Sequence, residues 1–292
     1  MENKRLWLFY ALITTLFWGL WGAFSTIPEK MGIPGNIIYV VWSVSMIIPG
    51  LIGIILFKWK IQNNAKSVIY GLLIGLTGAG GQLVLLSRAL REGPAHLIFP
   101  IISLSPVITI ALSLVFLKEK SGNLGVFGII LALGSMVLLS IIPSNNTTYG
   151  NLWVLFAISI FFAWGIQAFL IKLANQFVRA ESIFFYMIVS GLLLVPLAFI
   201  MGDPEKPAAI TSNGLLLAFG IQTLNSLGAL CLVYAFRYGK AIIVSPLTNA
   251  IAPALTVIIS LIIYQTVPSV WVFTGMGIAF LSTFIFAISD TT

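Results

Sequence analysis

Long apolar segments alternate with short polar connections along nearly the whole chain. Because an α-helix rises 1.5 Å per residue, about 20 apolar residues cross a hydrocarbon core of about 30 Å. The pattern therefore predicts an all-α membrane protein embedded in the lipid bilayer. We expect ten transmembrane helices, at roughly residues 6–25, 36–57, 68–90, 94–117, 123–142, 150–172, 180–201, 213–236, 241–264 and 268–288.

The sequence contains an internal duplication. The stretch from Ser87 to Lys120 resembles the stretch from Tyr234 to Gln265. At offsets of 146 or 147 residues the equivalent pairs are Ala89 and Ala235, Arg91 and Arg237, Gly93 and Gly239, Pro100 and Pro246, Pro106 and Pro253, and Thr109 and Thr256. We therefore divide the chain into two five-helix repeats, residues 1–143 and 144–292. Since five is odd, the second repeat enters the membrane inverted, an arrangement found in many secondary transporters.

The basic residues predict the orientation. With a cytoplasmic N-terminus, four of them fall outside, namely Lys30, Arg88, Arg91 and Lys206. The others fall inside: Lys4, Arg5, Lys58, Lys60, Lys66, Lys118, Lys120, Lys172, Arg179, Arg237 and Lys240. Positive charge accumulates on the cytoplasmic side of membrane proteins, so we expect both termini to be cytoplasmic, in a bacterial-type inner membrane. This orientation accounts for the net charge of +7 without a nucleic-acid partner.

Several kinds of chemistry are excluded by composition. Hydrophobic residues make up 59% of the chain and charged residues 8%, whereas soluble domains are about one quarter charged. The chain has one cysteine, Cys231, and one histidine, His96, so neither a metal site nor a disulfide framework is expected. No predicted span holds a carboxylate near its middle. We therefore expect no enzyme activity and no cofactor.

Particular motifs resemble a known family. Trp18-Gly19, the Gly93-Pro94-Ala95 turn leading into Pro100 and Pro106, and Lys118-Glu119-Lys120 followed by Gly125-Val126-Phe127-Gly128 resemble an EamA-type repeat. The chain is thus similar, over both halves, to the drug/metabolite transporter superfamily. The second copy departs from the pattern, with Lys240 at the position of Pro94 and Gln265 near that of Glu119.

The resemblance implies ten helices and the transport of small metabolites. Together with the inverted repeat it predicts a secondary transporter that works by alternating access and exports amino acids or related compounds. The alternatives are uptake of a sugar or another small metabolite by the same fold, and a membrane sensor or scaffold. The sequence does not determine the oligomeric state and is compatible with a homodimer.

Candidate pathway residues fall into three groups. The first comprises helix-breaking prolines, expected to act in gating: Pro100, Pro106, Pro246 and Pro253. The second comprises polar residues in mid-span, which are costly unless paired or hydrated: Gln82, Ser105, Thr109, Gln167, Gln222, Asn225, Asn249 and Thr256. The third comprises deep tryptophans that could line a cavity: Trp18, Trp21 and Trp164. For the second and third groups, helix–helix packing is the competing interpretation.

Two further expectations concern charge and the membrane interface. Arg88 maps onto Tyr234 and so breaks the repeat symmetry. We hypothesise that its guanidinium meets a substrate anion, the alternative being that it reaches the outer interface. Trp7, Trp153 and Trp271 lie at span ends and are predicted to be interface anchors.

Overall fold

The computed structural model describes residues 5–93, 95–139, 141, 152–202, 210–264 and 269–289. The side chains of His96 and Pro100 lie outside this description. The described residues form helices and contain no strand. The first repeat comprises α1 (Leu6–Phe24), α2 (Ile27–Lys30), α3 (Gly35–Ser45), α4 (Ile47–Leu56), α5 (Ala65–Val84), α6 (Leu90–Glu92), α7 (Ala95–Ser103), α8 (Pro106–Phe116) and α9 (Asn123–Leu139). The second comprises α10 (Leu152–Ala174), α11 (Ala180–Leu193), α12 (Val195–Ile200), α13 (Ser212–Tyr238), α14 (Ala241–Tyr264) and α15 (Val270–Ser289).

Eight helical segments of the described chain are long and apolar enough to cross a membrane. They correspond to predicted spans one, two, three, six, seven, eight, nine and ten. At the positions of spans four and five the structure has shorter apolar helices, Ile101–Phe116 and Asn123–Leu139. The all-helical membrane architecture is therefore confirmed, and the count of ten spans stays a prediction, as do the repeat boundaries.

Proline interrupts some of the predicted spans and not others. Pro49 and Pro196 lie in the first turns of α4 and α12, so the second and seventh spans are each broken into two helices. Pro106 begins α8 after a break at Leu104 and Ser105. Pro106 has no N–H to donate to the Ile102 carbonyl four residues earlier. That carbonyl instead accepts the Ser105 N–H at 3.1 Å in a tightened turn.

The ninth span does not show the expected breaks. α14 continues through both Pro246 and Pro253. It contacts α1, α8, α9 and α15 along its length. Proline is tolerated in a membrane helix when neighbouring helices hold it in line. Equivalent prolines therefore have different effects in the two halves, and α7 likewise continues through Pro100.

The third span contains an irregular turn. After α5 the chain forms a π-helical turn at Leu85–Ala89 before α6. Such a turn inserts one extra residue into the helix and is often found at functional sites. Within this turn the Leu86 carbonyl lies against Gly35, where a side chain would clash with that oxygen. The equivalent eighth span, α13, is a continuous α-helix of 27 residues.

Small residues hold the helices of the two repeats together. Gly71 and Gly75 of α5 lie directly against Tyr186 and Ser190 of α11, and the Ser190 hydroxyl donates to the Leu72 carbonyl at 3.3 Å. Gly71 and Gly75 are four residues apart, a small-xxx-small spacing that lets two helices approach closely. The contact joins the first repeat to the second.

One end of the bundle gathers the basic residues, and we call it the basic end. Gln62, in the α4–α5 connection, receives the Tyr186 hydroxyl at 2.8 Å and the Arg179 N–H at 2.6 Å. The Arg237 guanidinium donates to the Val178 carbonyl at 3.2 Å. These contacts and the helix connections place the following residues together: Arg5, Lys58, Lys60, Lys66, Lys118, Lys120, Lys172, Arg179, Arg237 and Lys240.

Candidate functional site

The two repeats contact each other reciprocally. Thr256 of α14 donates its hydroxyl to the Gly19 carbonyl of α1 at 3.1 Å. Thr109 of α8 donates to the Gly165 carbonyl of α10 at 3.0 Å. The threonines are 147 residues apart and the glycines 146, so these are equivalent bonds with the repeats exchanged. The first helix of each repeat therefore packs against the other repeat.

Further contacts follow the same rule. The reciprocal pairs are Trp18 on Gly228 and Trp164 on Gly81, Gly19 on Leu255 and Gly165 on Ile108, Trp7 on Gly239 and Trp153 on Gly93, and Gly128 on Phe286 and Gly275 on Leu139. A helix of the first repeat meets a helix of the second, and the equivalents of these two helices meet each other with the repeats exchanged. Such an interface has two-fold character. The described residues thus form a bundle whose halves are related by a pseudo-two-fold operation.

A first polar cluster lies where α1 and α3 meet α13. The indole Nε1 of Trp21 donates to Gln222 Oε1 at 3.1 Å, and Trp18 Nε1 donates to the Asn225 carbonyl at 3.2 Å. Trp42 Nε1 donates to Asn225 Oδ1 at 2.9 Å. Both amide side chains are buried. The structure therefore brings four predicted residues together, namely Trp18, Trp21, Gln222 and Asn225. The oxygens of Gln222 and Asn225 accept bonds between helices.

A second polar cluster lies between α8, α10 and α14. Thr109 is fully buried and receives the Ser245 hydroxyl at 3.3 Å. Ser105, also buried, presents its carbonyl to Gly165. Asn249 donates to the Ser245 carbonyl at 3.0 Å within its own helix. This cluster is chiefly interhelical packing of small hydroxyl residues.

Trp164 and Gln167 of α10 both lie against α5. Trp164 Nε1 donates to the Gly78 carbonyl at 3.3 Å. The Gln167 amide lies directly over the Gly78 Cα, where an added Cβ would approach its Nε2 to 2.0 Å. The absence of a side chain at Gly78 is what allows α10 to carry two large residues here.

The third span carries buried polar groups without partners. Gln82 and Ser87 are each 5% exposed, and Gln82 Nε2 and Ser87 Oγ have no hydrogen-bond partner among the described residues. Arg88, in the same π-helical turn, is half-buried and makes no hydrogen bond or ion pair to the described chain. An unpaired buried donor costs about 1–3 kcal/mol. This segment therefore has unsatisfied donors that a ligand could bind.

One of the three predicted interface anchors is wrong. Trp7 is 4% exposed and packs on Gly239, while Trp153 is half-buried and packs on Gly93. Burial between the repeats leaves Trp7 little surface for lipid headgroups, and the anchoring role of Trp153 stays a prediction. Trp271 is 55% exposed, as expected for an anchor.

Several polar residues of the clusters were not singled out in the sequence. These are Trp42, Ser45 and Ser245, of which Ser45 shares a hydrogen bond of 2.8 Å with Ser226 between α3 and α13. Ser45 and Trp42 stand in an otherwise apolar span, and that feature could have identified them. No repeat equivalence marked them.

The sequence matches the EamA-like transporter family twice, over residues 5–141 and 151–288. The two matches correspond to the two repeats seen in the contacts. The chain belongs to the EamA-like transporter family. It is therefore an integral membrane protein of a small-molecule transporter family.

Two individual comparisons extend this result. The chain is 39% identical over 90 residues to an uncharacterized protein of Methanocaldococcus jannaschii, and this match covers 30% of the chain. The chain spans 65% of the length of that relative. A solved crystal structure superimposes with a TM-score of 0.76 over 94% of this chain and 97% of that one, at 14% identity. This EamA-like member therefore shares a fold with a known structure.

Proposed function

We propose that this EamA-like protein is a secondary transporter that moves small metabolites by alternating access. The reciprocal contacts between the repeats carry the proposal. When two equivalent arrangements are related by exchanging the repeats, the bundle can open at either end. One repeat would rock against the other about contacts such as those of Thr256 with Gly19 and Thr109 with Gly165.

The proposed direction is export of amino acids or related compounds across a bacterial-type inner membrane, with both termini cytoplasmic. The basic end supports this orientation, since it collects the residues assigned to the cytoplasm. Uptake of a sugar or another metabolite is the competing function. A sensor or scaffold is the third, and it predicts no transport at all.

Transport by purified protein in proteoliposomes separates these functions. A panel of amino acids, sugars and other small metabolites would be loaded inside, and efflux and counterflow measured. We expect at least one amino acid or related compound to exchange, and empty liposomes to show no exchange. Exchange of sugars alone would favour the second function, and absence of exchange across the panel would contradict transport.

We further propose that Arg88 binds an anionic group of the substrate, such as a carboxylate. Arg88 is half-buried and unpaired among the described residues, and Gln82 and Ser87 offer unpartnered polar atoms on the same segment. A guanidinium can bind a carboxylate with two parallel hydrogen bonds. The repeat equivalent of Arg88, Tyr234, instead donates to Glu181 at 2.9 Å. The unpaired cation is thus a feature of the first repeat.

Arg88→Gln tests this role, with Arg91→Gln as the matched control. Arg91 is exposed, pairs with Glu92 at 3.1 Å and has a repeat equivalent in Arg237. Loss of a hydrogen bond to a charged group costs about 1.5–3 kcal/mol, so we expect Arg88→Gln to weaken carboxylate substrates by roughly 10- to 100-fold. Unchanged affinity and substrate preference in Arg88→Gln would contradict the role, as would an equal loss in the control.

A further inference from the structure

The turn between α13 and α14 lacks a side chain that can cap the second helix. Lys240 occupies the N-cap position of α14, and its carbonyl accepts the N–H groups of Ile243 and Val244. A lysine side chain has no acceptor for the free N–H groups of the first turn. The turn also exposes the last carbonyls of α13. At this point in the membrane protein both helix ends need partners from elsewhere.

Glu119, at the end of α8 in the first repeat, caps α14. Its Oε2 accepts the Ile242 N–H at 3.1 Å. A carboxylate at a helix N-terminus is favoured both by this bond and by the helix dipole. The cap therefore comes from the other repeat.

The backbone before Glu119 is arranged to deliver it. The N–H groups of Leu117 and Glu119 both bond the Ser113 carbonyl, at 3.1 and 3.2 Å, which closes the C-terminal end of α8. Lys118 takes the left-handed conformation, with φ of 52°, that glycine normally adopts at a helix end. The chain keeps a lysine there although a non-glycine residue is strained in that region.

Lys172 of α10 caps the C-terminal end of α13, the helix before the turn. Its Nζ donates to the carbonyls of Phe236, at 3.2 Å, and of Gly239. The same ammonium lies 3.9 Å from Glu119 Oε1. The side chains of Lys172 and Glu119 are 18% and 9% exposed, so water screens the pair only weakly. One ion pair thus holds the ends of α8, α10, α13 and α14 together at the basic end.

The sequence does not repeat this ion pair at the equivalent positions of the opposite end. The repeat equivalent of Lys172 is Thr26, and that of Glu119 is Thr266, so the sequence provides neither charge there. The equivalent turn carries Arg91 and Glu92, which pair with each other on adjacent positions and are about one-third exposed. Two-fold exchange of the repeats would therefore replace the ion pair and its two caps by threonines.

We propose that Glu119 and Lys172 form a latch that holds the basic end of the pathway closed and biases the transporter toward opening at the other end. This inference rests on the proposed alternating access. The latch acts by capping two helix ends. Glu119 accepts a free N–H at the start of α14, and Lys172 donates to free carbonyls at the end of α13. Opening the basic end separates α8 from the α13–α14 turn and breaks the Glu119 cap and the Glu119–Lys172 ion pair together.

Ser113 provides a reporter of opening that does not depend on the substrate. It is fully buried directly behind the latch, and its hydroxyl has no partner among the described residues. Ser113→Cys therefore sacrifices no hydrogen bond. In a Cys231→Ala background and in lipid nanodiscs, the labelling rate by a charged methanethiosulfonate reports the access of water to this position.

We expect Glu119→Ala to raise the Ser113→Cys labelling rate about tenfold, the effect of one lost helix cap. Glu119→Gln keeps an acceptor and should raise it less. The charge exchange Glu119→Lys with Lys172→Glu should not restore slow labelling, because a lysine cannot accept the Ile242 N–H. Lys120→Ala is the control, since Lys120 is an exposed neighbour of Glu119.

Thermal unfolding of each variant shows whether it is folded, and Lys172→Met replaces Glu119→Ala where the latter is not. Parent-like labelling of a folded latch variant would overturn the proposal, as would an equal rise in Lys120→Ala. Restoration by the charge exchange would overturn the capping mechanism. The labelling measurement requires no transport. If the protein transports no compound of the panel and the latch variants still raise the labelling rate, the proposed function is refuted and the latch stands.

Discussion

Two adjacent glycines in α5 give a matched test of the reciprocal packing. A Cβ at Gly80 would meet no atom within 4 Å, whereas a Cβ at Gly81 would lie 2.4 Å from Nε1 of Trp164 and 2.7 Å from its Cδ1. Replacing glycine by alanine in a helix gains about 1 kcal/mol in either position. We expect Gly80→Ala to stabilise the protein by about this amount.

Gly81→Ala gains the same helix propensity but must displace Trp164. Overpacking costs about 1–3 kcal/mol. Loss of the hydrogen bond from Trp164 to the Gly78 carbonyl costs about 0.5–1.5 kcal/mol more. The net effect is a destabilisation of about 0.5–3.5 kcal/mol, so the two variants should differ by about 1.5–4.5 kcal/mol.

Unfolding in mixed detergent micelles, followed by circular dichroism, measures this difference. In a Trp164→Phe background the smaller ring should reduce the cost of Gly81→Ala, which a double-mutant cycle would quantify. Equal stabilities of Gly80→Ala and Gly81→Ala would refute the packing of α10 on α5 described above. An undiminished cost in the Trp164→Phe background would refute the assignment to that side chain.

Two further predictions concern topology and energy coupling. Single cysteines at Asn145 and Asp290, which lie outside the described residues, should label from opposite sides of the membrane in a Cys231→Ala background; labelling of both by an impermeant reagent outside intact cells would contradict the topology. All eight acidic residues fall at span ends, loops or termini, so an imposed pH gradient should cause no net substrate accumulation in proteoliposomes with equal substrate on both sides. Accumulation abolished by Glu119→Gln or His96→Ala would show that a proton is coupled.

The sequence alone determined the features that depend on local composition and repetition. Apolar segments of membrane length predict helices because unpaired backbone groups cannot be left in lipid. The offset of 146 residues identifies the repeats. The glycine spacing of Gly71 and Gly75 predicts close helix contact, which the structure shows against α11. These features need only the order of neighbouring residues.

Tertiary structure decided which helices meet and what each polar residue does. Nothing in the sequence of α1 or α10 indicates that each packs against the opposite repeat, because apolar faces specify burial without specifying a partner. Of the equivalent prolines, Pro106 begins a new helix after a break and Pro253 lies inside α14, since packing around α14 compensates for the lost bond. Glu119 and Lys172 lie in different repeats and become partners only when the α13–α14 turn is brought between them.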